Sequence, residues 1–180
     1  MSHDRIRNLV LAALFLALGM VLPFLTGQIP QIGKVLSPMH IPAFLCGFVC
    51  GWPYGLAIGF IMPLLRSVLF GMPTLIPSAL VMAFELAAYG CSAAIIYRLL
   101  PKRPAFIYVT LIASMLIGRV VWGLASLAVY RLFTENSFTL AMFLSGAFIN
   151  AVPGIILHIV LVPAVVMALE RADLIDTEGR

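Results

Sequence analysis

Six apolar runs, at residues 8–25, 39–51, 53–70, 74–97, 104–130 and 137–169, take up most of a 180-residue chain. They last too long, and alternate too little, to be membrane β-strands of about ten residues. Helices are the other structure that satisfies every backbone group inside hydrocarbon. The runs therefore predict an all-α integral membrane protein, a six-transmembrane-helix bundle forming a single membrane domain with no room for a soluble module. Composition agrees, with 63% hydrophobic and only 10% charged residues, against roughly a quarter charged in soluble domains. The second run, near 13 residues, is short for a hydrocarbon core about 30 Å thick. Pro153 and Pro163 predict a kink in the sixth.

Arg5 and Arg7 precede the first run much as in a secretory leader, but no clear small-residue cleavage site follows. The run is therefore expected to be retained as the first span. Six spans put both termini on one side, which then carries Arg5, Arg7, Arg98, Lys102, Arg103, Arg171 and Arg180. The other side has Lys34 and Arg131, so both termini are expected in the cytoplasm. The net charge of +4 is thus a topology signal and not a nucleic-acid face. The loops around 26–38, 70–75 and 131–137 should face outward, with Trp52 anchoring a cytoplasmic turn.

Cys46 and Cys50 share a helix face at i,i+4 spacing, yet no neighbouring acid or histidine completes a metal site. They read as small buried hydrophobes, and no metal or cofactor is expected. Gly47, Gly51, Gly55 and Gly59 recur every four residues, a pattern that lets helices approach closely within the monomer. No Gly-x4-Gly-Lys-Ser/Thr loop occurs, so energy from ATP would have to come from another chain.

One carboxylate, Glu85, interrupts the stretch "PSALVMAFELAAYG". An unpaired carboxylate there would be very costly. Counted from the outer ends of their runs, Glu85 and Arg119 each lie 11 positions in and Asn150 lies 13. At 1.5 Å per residue all three fall roughly 17–20 Å below those ends, near mid-membrane. Tyr89 and Trp122 share their faces, and Arg66 should lie just above. A few convergent polar groups among aromatics is how a small-molecule site is lined. His40, at the outer edge of the second run, is a further candidate. His158 shares the Asn150 face of the sixth run but falls toward the inner side, and is not counted among the site residues.

The six short spans, Ala13-x-x-x-Ala17, "SPMHIPAFLCGFVCGWPYG", "GMPTLIPSALVMAFELAAYG" and "NAVPGIILHIVLVP" together resemble an S component, the substrate-binding subunit of an energy-coupling factor (ECF) transporter. The resemblance covers nearly the whole chain. It implies a vitamin-uptake receptor in the plasma membrane, working with a transmembrane coupling protein and two cytoplasmic ATPases. Ala13 and Ala17 would then mark the docking surface for the coupling protein, and residues 26–38 would cover an outward pocket. It also implies substrate binding by Glu85, Tyr89, Arg119, Trp122 and Asn150, with Arg66 and His40 as further candidates and no catalytic residues. A carboxylate cargo would pair with Arg119 or Arg66, which points first to pantothenate. A pyrimidine, pyridoxine or queuine-like base stacked on Trp122 is the alternative. Two rival classes are an intramembrane enzyme on lipid or isoprenoid substrates, and a structural subunit in which Glu85–Arg119 joins helices. The enzyme is disfavoured by the single intramembrane acid, since such chemistry needs paired carboxylates, a metal cluster or an activated nucleophile.

Overall fold

A computed structural model of the chain describes residues 3–26, 36–133, 138–172 and 175. Every regular element among them is helical: α1 His3–Val21, α2 His40–Cys50, α3 Trp52–Phe70, α4 Leu80–Leu99, α5 Pro104–Phe133, α6 Leu140–Leu144 and α7 Val152–Arg171. A 3-10 turn, Leu22–Thr26, continues α1. Five stretches are long and apolar enough to cross a membrane: Asp4–Leu25, Trp52–Phe70, Leu75–Leu99, Pro104–Phe133 and Leu140–Arg171. The remaining apolar run is α2, whose 11 residues reach only about 16 Å. All its residues but Val49 are buried. A helix apolar on every side belongs inside a bundle, and this one is surrounded by its neighbours.

The glycine pattern explains how α2, α3 and α4 come together. A Cβ on Gly90 would lie 2.8 Å from the Cα of Gly55, and one on Gly55 would lie 2.9 Å from the Cα of Gly47. Backbone meets backbone at this crossing, the close approach that small residues permit in lipid. Gly59 packs on Leu86 in the same seam. Gly51, at φ 89°, closes α2 and opens α3, a conformation that favours glycine. Cys46 and Cys50 lie in the core beneath, and Trp52 is exposed at this turn.

Two helices depart from the runs predicted for them. α4 begins at Leu80, not at residue 74, because Leu75–Ala79 forms a wide turn in which Ile76 is extended. The residue before a proline is sterically driven out of the α region, and Pro77 follows Ile76. The last run kinks where Pro153 predicts. A wide turn, Ser145–Ile149, separates α6 from α7, and Pro153 stands in the first turn of α7. At the other end of the bundle the Tyr97 hydroxyl donates to Glu170, joining α4 to α7, and Lys102 Nζ donates to the Tyr97 carbonyl at 2.6 Å.

Gly90→Val should lower the stability of the detergent-solubilised protein by about 2 kcal/mol, as overpacking at a close crossing does. Gly71→Asn should leave it nearly unchanged, because Gly71 at φ 69° has open space around its Cβ position and Asn tolerates that conformation. Thermal unfolding of the two variants beside wild type checks both.

Candidate functional site

Glu85 and Arg119 meet. Arg119 Nη1 donates to Glu85 Oε1 at 2.8 Å, with Glu85 2% and Arg119 12% exposed. The same Oε1 accepts from the Tyr89 hydroxyl, also at 2.8 Å, one helical turn along α4. Glu85 Oε2 faces His40 Nε2 at 3.6 Å. Gly118 makes the encounter possible, since a Cβ there would fall 2.8 Å from Tyr89 Cζ. With hydrogen in its place, α5 lies against the tyrosine ring and the next residue, Arg119, reaches the carboxylate. Gly118 carries no polar signal that would have singled it out.

These groups form the floor of an open cavity of about 510 Å3. Glu85, Arg119, Trp122, Asn150, Arg66 and His40 all line it, whereas Tyr89 is buried behind Glu85. Trp122 and Phe138 pack edge-to-face at 5.6 Å, and Tyr130 lies 5.6 Å from Phe138, giving an aromatic wall. Gly146 clears the space for the indole, since its Cβ would lie 2.8 Å from Trp122 Cη2. Asn150 shares the cavity but does not touch the ion pair; it is exposed and bonds Ser145 Oγ at 3.0 Å. Arg66 is 2% exposed. It donates from Nη1 to the Met20 carbonyl and lies over the rings of Phe24 and Phe70.

The structure corrects the expected position of His158. Its ring stacks on His40 at 5.6 Å, and its Nε2 lies 3.3 Å from the Ser37 carbonyl, which also bonds His40 Nδ1 at 3.0 Å. Counting along one helix cannot foresee this, because the short α2 starts within the bundle and carries His40 and buried Pro38 and Met39 inward. The segment from Met72 to Ser78 also lines the cavity. Met72 and Pro73 fall in the loop expected to face outward, whereas residues 74–78 belong to a run that reads as continuous helix, with Pro77 as the available signal. Of the segment 26–38 predicted to cover the pocket, residues 27–35 lie outside the described residues, while Ser37 and Pro38 reach the cavity wall.

Fold and cavity together define a multi-pass helical membrane protein with a ligand-sized recess. Residues 7–166 match the family model described as ECF transporter, substrate-specific component, and the chain belongs to that family. It is a substrate-specific transporter subunit and not an enzyme. No curated protein and no solved structure matches the chain significantly.

Removing one partner of a buried ion pair strands the other charge. Glu85→Leu should therefore cost about 3–5 kcal/mol, and Glu85→Leu/Arg119→Met should regain a large part of that loss. A double-mutant cycle read by thermal unfolding measures the coupling, and a value near zero would contradict the pairing.

Proposed function

We propose that this chain is the high-affinity substrate-binding subunit of an ECF-type ABC importer for a water-soluble vitamin or related micronutrient. One observation carries the proposal: a cavity within the 300–1,000 Å3 range of small-molecule sites has an assembled polar floor and an aromatic wall. In this proposal Glu85, Arg119, Asn150, Trp122, Tyr89, Arg66 and His40 make the site, with Tyr89 acting behind Glu85. The first Glu85 oxygen is already shared between Arg119 and Tyr89. Glu85 therefore orients Arg119, and its second oxygen, with His40, is left to meet hydroxyl, amide or amine groups of the cargo. Among the described residues Arg119 Nε has no hydrogen-bond acceptor, which suits a group that awaits a ligand. Pantothenate, with an acid, hydroxyls and an amide, fits this set first. A flat pyrimidine, pyridoxine or queuine-like base on Trp122 is the alternative.

The same proposal puts the chain in the plasma membrane with both termini cytoplasmic, α2 completing a six-helix bundle and the cavity open outward. Delivery would use a transmembrane coupling protein and two cytoplasmic ATPases. Ala13 and Ala17 are exposed on α1, as a surface for docking on the coupling protein requires. A second reading has one observation in its favour. The 2.8 Å Glu85–Arg119 bond is what a purely structural pair would also show.

A panel of water-soluble vitamins and nucleobase precursors, tested on the solubilised protein by thermal unfolding, separates the two. A true cargo at a hundredfold excess over Kd should contribute about 2.7 kcal/mol, and Glu85→Gln should remove most of that gain. If no compound stabilises wild type and charge reversal at both positions restores normal stability, the pair is structural. Ala13→Leu/Ala17→Leu should keep ligand binding but abolish uptake in cells that carry the whole transporter, as measured with radiolabelled cargo.

A further inference from the structure

Arg66 is a buried cation whose charge no described residue cancels. Its partners are the Met20 carbonyl and the rings of Phe24, 4.9 Å away, and Phe70, 5.2 Å away. A carbonyl and two ring faces stabilise a guanidinium without neutralising it. Among the described residues, no carboxylate pairs with it: the acid that lines this cavity, Glu85, is bonded to Arg119. Between Asp4 and Glu170 the only acids are Glu85 and Glu135, and Glu135 lies outside the described residues. Leaving a buried ion unpaired is strongly unfavourable, so a counter-charge arriving from outside would be favoured here.

The geometry says which counter-charge fits. Nη1 donates to the Met20 carbonyl, and the other side of the guanidinium is its Nε–Nη2 edge. That edge is the side-on fork that receives both oxygens of a carboxylate. Counting charges along the cavity wall gives Arg66 and Arg119 against Glu85, with histidine taken as neutral. One positive charge remains, which a monoanion cancels. We infer that Arg66, and not Arg119, is the anion receptor of the cavity, and that the cargo is a small monocarboxylate. This rests on the cavity being the cargo site. It gives the two arginines different tasks. Arg119 is held by Glu85 on the floor, where uncharged polar groups are recognised, and Arg66 takes the acid.

The test uses the full-length protein in detergent and two acid–neutral probe pairs, pantothenate with panthenol and nicotinate with nicotinamide. Arg66→Met keeps an apolar stem of similar length and removes the charge. Without ligand it should melt at or above the wild-type temperature, because an uncompensated cation has gone. A fall of more than about 5 °C, on the order of a single lost structural interaction, would make Arg66 a strut and overturn the inference. With probes, an acid should bind wild type about tenfold to a hundredfold tighter than its neutral partner, the worth of a charge-assisted hydrogen bond. Arg66→Met should abolish that preference.

A neutral probe that binds wild type as tightly as its acid, and is weakened by Glu85→Gln, removes the anion assignment while the cargo site stands. If neither pair binds, the ligand-free melting comparison decides. Glu135→Gln should leave melting and preference unchanged. If it instead reproduces the effects of Arg66→Met, Glu135 is the intramolecular counter-ion and the inference falls.

Discussion

The buried pair between Glu85 and Arg119 sets the register of this molecule. A carboxylate in a low-dielectric interior must be matched by an opposite charge and by hydrogen bonds to its remaining lone pairs. Here Arg119 supplies the charge and Tyr89 supplies a hydroxyl, both on the same oxygen. That requirement holds α4 and α5 at one relative height, and Gly118 lets them close to the needed distance. Tyr89 in turn packs on Phe44 at 4.6 Å and on His40 at 5.4 Å, tying α2 to the same level. An ion pair of this kind adds little net stability. Its value lies in geometry.

The backbone departs from regular helix twice, at Leu75–Ala79 and at Ser145–Ile149. Irregular backbone at membrane depth is tolerated where protein covers it or where it lines a cavity. Both segments meet this condition, since Pro77 and Ser78 from the first and Gly146 from the second form the cavity wall. The short α2 contributes in the same sense. Because it does not reach across the bundle, the chain before it enters the interior and brings Ser37, Pro38 and His40 to the site. The recess therefore arises from helices that stop early or break, and the glycine seam of α2, α3 and α4 keeps the rest of the bundle closed.

Much of the site could be read from residue type and spacing. Counting puts Glu85, Arg119 and Asn150 at one depth, Trp122 shares a face with Arg119, and all four line one cavity. Counting works within a helix because its rise is fixed. It fails between helices whose starts are offset, which is why His158 was set apart and yet stacks on His40. It also cannot say which partner a charge selects. From sequence both Arg119 and Arg66 are candidates for an acid, Arg66 the second choice; among the described residues, packing gives Arg119 a carboxylate and Arg66 a carbonyl and two rings. The surroundings of Arg66 come from α1 with its 3-10 continuation and from α3 itself.

Helical class, membrane location and the approximate limits of the spans were already decided by the sequence. Hydrocarbon admits no unsatisfied backbone, and a run of apolar residues of that length has one solution. The glycine spacing likewise announced close crossings. Only the tertiary structure decided that α2 is a short internal helix, that proline-linked turns open two of the long runs, and that a cavity forms where they do. It also decided which buried charges are matched within the chain. Those outcomes depend on interactions between distant segments, which share one low-dielectric space and must settle their charges and hydrogen bonds jointly.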